Sequence, residues 1–576
     1  MIVGPSLHIV IIETGSIQAF IFNTNKQILN VGASDLVRRL GEEWVTEALR
    51  EISVDARPPL VAASGKTVLL LEGGIARQVI SLVTSRALRE APGLTVWGTI
   101  GEMPVEEDLS DVADRLDDAY REHAALRSHI PSPMLRHPLL PFLQPDSYTG
   151  APASLLERAN GGPIDGTAPA QGKTRSYAVD IQWKAGKEGR DRLQKKLRSA
   201  ISELDSTTDN GGAIVSEASL VNGDGVRNNG WVGIVHADGN GIGRLFFELK
   251  DTSAGADFLQ KQWELSMALD AVTWKAFASA VVDVQETHPG ESEWLLPIVV
   301  GGDDVTVVVN GKLVYDFTVS FLRHFEEEAL ESEGIQNALG GASSDTPGSA
   351  ARNRLTASAG IAVVSPHHPF SHAYELAEEL CKNAKQTKTW LRRGIGDNKD
   401  EMVAMPARSA LDAHVLFESS LRSLEQVRDS LVVHHDVQDR KKVLHLWAGP
   451  ITLPADDGAL VDVHRYQLLA EFMDAIRPPG TDRKPVLPWG AAHVLRTAML
   501  EGGVSLERAK MQILKAVDAL NDPDRHRVLE SLFDTHLVVD PGAVGPVGAN
   551  EFSRLLTALD LVDLEQGTAA GRKGSS

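Results

Sequence analysis

The most regular pattern of hydrophobic and polar positions lies between residues 231 and 422. WVGIVHA predicts a short buried strand that ends at Asp238, and residues 247–284 predict a helix. LLPIVV, GGDD and VTVVV follow as a strand, a tight glycine-containing turn and a second strand, which is the pattern of a β-hairpin. A helix over 313–330, the strand LTASAGIAVV and a helix over 372–388 complete the order. This β-α-β-β-α-β order predicts a ferredoxin-like domain.

The first hundred residues repeat this order more weakly. LHIVIIE, TVLLLEGG and LTVWGTI predict strands, and residues 33–52 and 76–90 predict helices. Aligning the two copies sets Glu72-Gly73-Gly74-Ile75-Ala76 against Val300-Gly301-Gly302-Asp303-Asp304. The glycines recur and the aspartates do not. We therefore expect two ferredoxin-like palm domains, of which the second carries an acidic site and the first does not.

The rest of the chain predicts an α+β protein with further regions around the two palms. Stretches rich in Gly, Ser, Asn and Pro at 158–175, 206–230 and 331–353 have linker composition. From about residue 422 onward, amphipathic segments such as SLERAKMQILKAVDAL predict a mainly helical region. The expected divisions are a first palm at 1–105, a linker region at 106–230, the second palm at 231–420, a helical domain at 421–564 and a disordered tail at 565–576.

Composition limits the classes of protein to be considered. A length of 576 residues is too great for one hydrophobic core, and the net charge of −21 predicts weak direct binding to nucleic acid. The only cysteine, Cys381, excludes an internal disulfide. The N-terminus lacks a basic region and a cleavage site, and no apolar run approaches the roughly 18 residues of a membrane-spanning helix. We expect a cytoplasmic protein without a membrane partner.

Three aspartates are the candidate catalytic and metal-binding residues. In a β-α-β-β-α-β sheet the first strand lies beside the third, so Asp238 should meet Asp303 and Asp304 at one sheet edge. Carboxylates that converge in this way are costly unless a cation compensates their charge. Mg²⁺, or Mn²⁺ in its place, takes oxygen ligands and suits a nucleoside triphosphate. The arrangement predicts two-metal nucleotidyl transfer.

Small and basic residues near these aspartates are the candidate nucleotide-binding residues. Gly301 and Gly302 allow a tight turn and a close approach of phosphate to the backbone. The DGNGIG segment, which contains Gly239 and Asn240, opens a strand-to-helix turn whose amides could bind phosphate oxygens. Lys382 and Lys385 lie three apart on a predicted helix and should share a face that reaches a triphosphate. The alternatives are an acidic surface turn for GGDD and a solvated helix end for the lysines.

Another motif, His434-His435-Asp436, resembles metal-binding pairs of phosphohydrolases. On a helix these adjacent side chains would point apart, so we interpret the motif as a coincidence.

Several segments together resemble a known family. GSIQAFIFNTNKQILNVGASDLV resembles the first-palm signature of the large palm-domain subunits of type III CRISPR–Cas effector complexes. HADGNGIGRLF, VVGGDDVTVVV, SAGIAVVSPHHPFSHAYELAEELCKNAK and ALDAHVLFESS resemble the second palm of that family, in the same order. The resemblance implies ATP held between two palms and polymerised into cyclic oligoadenylates, which are second messengers of antiviral defence. It also implies partners, namely ATP, other effector subunits, guide RNA and target RNA.

By position, the resemblance assigns metal binding to Asp238, Asp303 and Asp304. It places Gly301, Gly302 and Lys385 near phosphates, and Ser16, Ile17 and Gln18 near the palm–palm interface. The sequence also departs from the family. The palm pattern starts at residue 7, so an HD nuclease domain is not expected. LQPDSYTGAPAS has no cysteine where the family often binds zinc, and Asn240 stands where many relatives have a second acid.

Three functions remain open from the sequence. The first is an ATP-dependent oligoadenylate cyclase of a CRISPR type III-like system. The second is a stand-alone palm cyclase that makes a cyclic mono- or dinucleotide. The third is a non-catalytic nucleotide-binding scaffold subunit of an RNA-guided complex.

Overall fold

The computed structural model describes most of the chain, with gaps at several of the predicted linkers. The described residues are 6–54, 59–63, 65–130, 143–156, 174–204, 226, 230–339, 354–389, 391–393, 402–404, 408–417, 422–437, 440–453, 466–477, 484–539 and 551–566. Most of the predicted linkers at 158–175, 206–230 and 331–353, and the tail after residue 566, lie outside these residues. The start of the third linker is an exception, because residues 333–338 are helical.

The described residues form the following strands and helices. The strands are β1 (Leu7–Gly15), β2 (Val61–Ala63), β3 (Lys66–Glu72), β4 (Thr95–Ile100), β5 (Leu155–Leu156), β6 (Thr174–Arg175), β7 (Val232–Gly239), β8 (Leu295–Gly301), β9 (Asp304–Asn310), β10 (Ala357–Val364), β11 (Leu391–Arg393), β12 (Met402–Ala404), β13 (Ala410–Val415), β14 (Val432–Val437), β15 (Arg440–His445), β16 (Ile451–Thr452) and β17 (Glu551–Phe552). The helices are α1 (Ile17–Ile21), α2 (Gln27–Arg39), α3 (Val45–Glu51), α4 (Gly73–Glu90), α5 (Val112–Arg127), α6 (Tyr177–Leu204), α7 (Ile242–Thr252), α8 (Gly255–Thr287), α9 (Val314–Glu331), α10 (Glu333–Ala338), α11 (Phe370–Ala384), α12 (Leu424–Asp429), α13 (Tyr466–Ile476), α14 (Trp489–Glu501), α15 (Gly503–Ala519), α16 (Pro523–His536) and α17 (Leu555–Gln566). A π-helical turn (Leu40–Trp44) and a 3₁₀ helix (Lys385–Thr389) extend α2 and α11.

The second palm has the predicted ferredoxin-like topology. Its sheet has the order β16-β13-β10-β7-β9-β8, so the first strand of the palm, β7, lies between the third and fourth strands, β9 and β10. Pro297 lies in the edge strand β8, where a missing N–H is tolerated. Helices α8 and α9 cover one face, and their fully buried rings Phe277, Phe317, Phe321 and Phe325 form an aromatic core. Helix α11 packs against the opposite face.

The first palm is also confirmed as a four-stranded antiparallel sheet, in the order β2-β3-β1-β4. The alignment of its glycine pair with the GGDD turn is wrong. Gly73 and Gly74 follow the third strand and begin α4, whereas the hairpin turn joins β2 to β3 at Gly65. Gly65 has a φ of +74°. The prediction failed because β2 is three residues long and gives no periodic signal.

The region between the palms contains a long helix that the sequence analysis did not resolve. Helix α6 has 28 residues and packs along α2 of the first palm. The two backbones come so close at Gly32 and Gly186 that a Cβ at Gly32 would overlap the carbonyl oxygen of Gln182. The other side of α6 packs on α8 of the second palm. Helix α6 therefore connects the two palms.

The C-terminal region is mainly helical, as predicted, with two differences. Strands β14, β15 and β17 form a small sheet, and β16 adds to the edge of the second-palm sheet. The His434-His435-Asp436 motif therefore lies on a strand, β14, and the helical geometry assumed for it is wrong.

The single helix predicted over 247–284 is two helices, α7 and α8, and α8 is more apolar than the sequence analysis recognised. In the described part of the chain it is the one helix that could cross a membrane by length and composition, with a mean hydropathy of 1.3 over 18 residues. Of that window, 56% is buried inside the protein. The burial against α9 and β8 accounts for the apolar composition, as expected for a core helix.

Candidate active site at the GGDD hairpin

The GGDD segment forms a two-residue turn between β8 and β9. Gly301 and Asp304 are the last paired residues of the hairpin, which leaves Gly302 and Asp303 in the turn. Gly302 has a φ of +62°, in the left-handed region that favours glycine. A glycine at the first central position is typical of the type II′ turn, whose twist matches the flanking strands. The tight turn that the two glycines were predicted to allow is therefore present.

The three candidate aspartates meet at one edge of the sheet. Asp238 is the direct partner of Asp304 in the register of β7 and β9. The backbone N–H of Gly239 donates a hydrogen bond of 3.3 Å to the carbonyl oxygen of Asp303. Cα atoms of directly paired antiparallel residues lie about 4.5–5.5 Å apart. The convergence predicted from strand order is thus present in the structure.

Burial and mutual repulsion shift the pKa values of two of these carboxyl groups. Burial, followed by the charges of Asp238 and Asp303, raises the pKa of Asp304 to about 8. Burial, followed by the charge of Asp238, raises the pKa of Asp303 to about 6. Both shifts express the cost of placing like charges together away from water. A bound cation at this edge would reverse that cost.

The two candidate lysines lie in different environments. The Nζ atom of Lys385 bonds to Oδ2 of Asp238. Lys382 forms an ion pair of 2.9 Å with Glu378, and its side chain is 66% exposed. The two lysines lie three residues apart where α11 passes into a 3₁₀ turn, and their side chains have different partners. Only Lys385 of this pair contacts the aspartates.

Asn240 and its neighbouring glycines connect the site to α7. The side-chain amide of Asn240 donates to Thr356 Oγ1 at 3.0 Å, and its oxygen accepts from Ser358 Oγ at 3.0 Å. These bonds fix Asn240 against β10. Gly241 caps α7 with a φ of +78°, and a Cβ there would meet nothing within 4 Å. The N-terminus of α7 is therefore open beside the aspartates, and its dipole favours anions.

The predicted interface residues join the first palm to α11. Gln18 Nε2 donates to Tyr374 Oη at 3.1 Å and to Glu378 Oε1 at 3.2 Å. Phe22 stacks on Tyr374 with a ring-centroid distance of 3.8 Å. Gln18 thus lies at the interface between the palms, as the resemblance implied. Ser16, with a φ of +52°, is exposed just before α1, and Ile17 is half-buried there.

Four residues of this neighbourhood were not predicted from the sequence. Tyr374 and Glu378 lie one turn apart on α11 and contact the first palm. Asp270 and Thr273 lie on one face of α8 and contact the GGDD turn. The spacing of each pair places both side chains on one helix face, but the sequence contains no signal for which strand or domain that face meets.

The donor atoms at the hairpin fit a hard divalent cation with one condition. They are carboxylate oxygens, the ligands that Mg²⁺ prefers, and three carboxylates face one ammonium. Within the described ranges, no three His, Cys, Asp or Glu side chains are already arranged to hold a metal ion. The contact between Lys385 and Asp238 accounts for part of this. Oδ2 of Asp238 can ligate a cation only after Lys385 moves away, whereas Lys385 has no contact with Oδ1.

A family comparison matches this domain. Residues 231–391 match the family model described as Cas10/Cmr2, second palm domain. The match includes β7, the GGDD hairpin, α11 and the 3₁₀ turn that carries Lys385. It confirms the resemblance to the large palm-domain subunits of type III CRISPR–Cas effector complexes. No curated protein matches the chain by sequence.

The chain is also similar to solved Csm1 structures. A Csm1–Csm4 cassette in complex with cA4 matches with a TM-score of 0.39 and 12% identity, over 66% of this chain and 53% of that chain. A Csm1–Csm4 cassette in complex with AMPPNP gives 0.38 and 12% over the same shares. Csm1 in T. onnurineus gives 0.37 and 13%, over 66% and 52%. The chain spans about half the length of these Csm1 structures.

Proposed function

We propose that this chain is a nucleotidyltransferase that converts ATP into cyclic oligoadenylates at the GGDD hairpin, with two divalent cations. The observation that carries the proposal is the direct pairing of Asp238 with Asp304 next to the Asp303 turn. The family match of residues 231–391 supports the palm chemistry. The raised pKa values of Asp303 and Asp304 support a site whose carboxylates favour a cation.

Each part of the hairpin has a role in this reaction. Mg²⁺, or Mn²⁺, would supply charge neutralisation and Lewis acidity for the transfer. Asp238, Asp303 and Asp304 would hold it. Gly301 and Gly302 have no side chains that obstruct a triphosphate, and the N-terminus of α7 would stabilise phosphate oxygens. Lys385 would exchange its contact with Asp238 for a phosphate.

The palm–palm interface supports ATP as a substrate held between two domains. Gln18 and Phe22 of the first palm contact Tyr374 of α11, the helix that precedes Lys385. By analogy with the family, we propose that the adenosine moiety binds along this interface. We also propose that other CRISPR effector subunits, a guide RNA and a target RNA are partners that regulate the reaction.

A second candidate is a non-catalytic nucleotide-binding scaffold. The contact between Lys385 and Asp238 and the fixed side chain of Asn240 favour it, because both reduce the number of oxygen ligands ready for a cation. A third candidate retains catalysis and forms a cyclic mono- or dinucleotide, because nothing at the hairpin selects the length of the product.

The test is incubation of the full chain with each labelled nucleoside triphosphate and Mg²⁺ or Mn²⁺, followed by separation and mass measurement of the products. A parallel sample carries Asp303→Ala and Asp304→Ala. A cyclic oligoadenylate that disappears in the double variant supports the proposal, and a shorter cyclic product supports the third candidate. ATP binding that requires no divalent cation, without any product, supports the scaffold.

A further inference from the structure

Two side chains of α8 form hydrogen bonds with the backbone of the GGDD turn. Asp270 Oδ1 accepts a hydrogen bond of 3.2 Å from the N–H of Gly302. Thr273 Oγ1 donates a hydrogen bond of 2.6 Å to the carbonyl oxygen of Gly302. The two residues are three apart and lie on the same face of α8. Both polar groups of the Gly302 backbone therefore have side-chain partners on a single helix.

This arrangement fixes the residue that precedes Asp303. A two-residue turn has few cross-strand hydrogen bonds of its own. Residue 302 is a glycine, which has more conformational freedom than any other residue type. Thr273 is fully buried, so its hydrogen bond is protected from water. A Cβ at Gly301 would lie 3.3 Å from Asp270 Oδ1, which shows how closely the carboxylate approaches the turn.

The second oxygen of Asp270 extends the contact to another part of the chain. Asp270 Oδ2 forms an ion pair of 3.1 Å with Lys196 Nζ on α6. Lys196 Nζ also lies 4.4 Å from the centre of the Trp274 ring, one residue after Thr273. Helix α6 packs on α2 of the first palm through Gly32 and Gly186. A continuous path thus runs from the first palm through α6 to the turn.

We propose that Asp270 and Thr273 are positioning residues of the GGDD turn. The proposal rests on the proposed function for its catalytic consequence. Without the two hydrogen bonds, the turn samples other conformations, and Asp303 departs from the position that binds a cation. A displacement of about 1 Å can lower a reaction rate by about 100-fold.

The test compares substitutions that keep each hydrogen bond with substitutions that remove it. Thr273→Val removes the hydroxyl at nearly constant shape, and Thr273→Ser restores it. Asp270→Ala removes the acceptor, whereas Asp270→Asn keeps an acceptor oxygen and loses the charge that faces Lys196. Asp257→Ala is the matched control, because Asp257 is an exposed carboxylate of the same helix that pairs with Lys261.

Three quantities are measured on the folded full-length variants. Amide hydrogen exchange of the peptide that contains Gly302 reports the turn without any ligand. Titration with Mn²⁺, followed by the electron paramagnetic resonance of the free ion, reports cation affinity. The kcat and KM for ATP report the reaction. We expect Thr273→Val and Asp270→Ala to accelerate the exchange at Gly302, to weaken Mn²⁺ binding at least tenfold and to lower kcat more than they change KM.

We expect Thr273→Ser, Asp270→Asn and Asp257→Ala to stay within about threefold of the wild type in Mn²⁺ affinity, since a tenfold change corresponds to the loss of a full interaction. Unchanged exchange at Gly302 in folded Thr273→Val and Asp270→Ala would overturn the positioning role. A wild type that binds no Mn²⁺ while these variants still accelerate the exchange would overturn the proposed function and leave the positioning of the turn intact.

Discussion

The Nζ atom of Lys385 bonds to Oδ2 of Asp238, so a cation of the chain itself lies where the aspartates converge. The same lysine is the residue that we expect to bind a triphosphate. Among the described residues, no three carboxylates are already arranged to hold a metal ion, although oxygen ligands are present. The contact between Lys385 and Asp238 offers a physical reason for this. Lys385 compensates part of the negative charge until a divalent cation and a nucleotide replace it.

Replacing Lys385 with methionine should therefore strengthen metal binding and weaken nucleotide binding. Removal of a competing charge next to Asp238 should tighten Mn²⁺ binding about three- to tenfold, or ~1 kcal/mol. The affinity for ATP should fall about tenfold, because a phosphate partner is lost. Titration of the variant with Mn²⁺ and then with ATP measures both effects.

Lys382→Met is the control for this substitution. Lys382 lies three residues away, pairs with Glu378 and has a side chain that is 66% exposed. We expect both affinities to remain at the wild-type value in this control. Weaker Mn²⁺ binding in Lys385→Met would contradict a competition between the lysine and the cation.

Asp304→Asn should stabilise the metal-free protein and abolish the product. The pKa of Asp304 is raised from 3.8 to about 8, so the folded state retains a proton that the unfolded state loses. The wild type therefore loses stability as the pH rises from about 4 to about 8, and the neutral amide does not. We expect the variant to exceed the wild type by on the order of 1–3 kcal/mol at pH 8.5 and by much less at pH 4.5.

Thermal unfolding in the presence of EDTA measures this difference. Asp257→Asn on the exposed first turn of α8 serves as the control and should change the unfolding temperature little at either pH. A destabilised Asp304→Asn variant at pH 8.5 would show that the carboxylate is satisfied in the metal-free fold.

The contact between the palms should make a large contribution to stability. Phe22 is 4% exposed and stacks on Tyr374, and Phe370 lies 5.7 Å away. Phe22→Ala should lower the free energy of unfolding by about 3–5 kcal/mol, since it removes a buried ring and leaves a cavity. Phe247→Ala is the matched control, because Phe247 is 62% exposed. Equal effects of the two substitutions, measured by chemical denaturation, would contradict a packed interface.

Acid should destabilise the C-terminal region through His536. Burial, followed by the charge of Arg554, lowers the pKa of His536 to about 3. The unfolded state therefore binds the proton first, and stability falls as the pH drops from 6.5 toward 3. His536→Asn keeps an acceptor for Arg554 Nη1, which lies 3.3 Å from Nδ1. We expect the variant to lose up to about 3 kcal/mol less than the wild type between pH 7 and pH 4.5.

Unfolding curves at several pH values test this prediction. A residue on the same helix, His526, forms an ion pair of 2.5 Å with Asp518 near the surface, so His526→Asn is a suitable comparison. Parallel pH profiles of the wild type and His536→Asn would remove His536 as the source of acid sensitivity.

Strand order was the part of the structure that the sequence predicted best. The long apolar strands around GGDD and the strand before Asp238 give unambiguous periodicity, and topology then places Asp238 opposite Asp304. The predictions that failed concerned short elements and local geometry. Strand β2 has three residues, so the glycine pair at Gly73 was aligned with the wrong turn. The different partners of Lys382 and Lys385 were also missed, because the sequence does not show which acidic side chains each lysine meets.

Contacts between distant segments were the least predictable. Nothing in the sequence around Lys196, Asp270 or Gly302 indicates that they meet, because α6, α8 and the hairpin are far apart in the chain. Such contacts depend on how complete helices pack, and many exposed charged pairs on helices would have had the same spacing. The acidic site was predictable from periodicity and strand order, whereas the helix side chains that contact its turn were not.

The central claim is that Asp238, Asp303 and Asp304 bind divalent cations together with ATP. The most direct test is titration of the full chain with Mn²⁺ in the absence and presence of a non-hydrolysable ATP analogue, with Asp303→Ala/Asp304→Ala and Asp257→Asn as matched variants. We predict nucleotide-dependent Mn²⁺ binding in the wild type and in Asp257→Asn, and its loss in the double variant. Mn²⁺ binding that is equal in the wild type and the double variant, or absent from a folded wild type with the analogue present, would contradict the account.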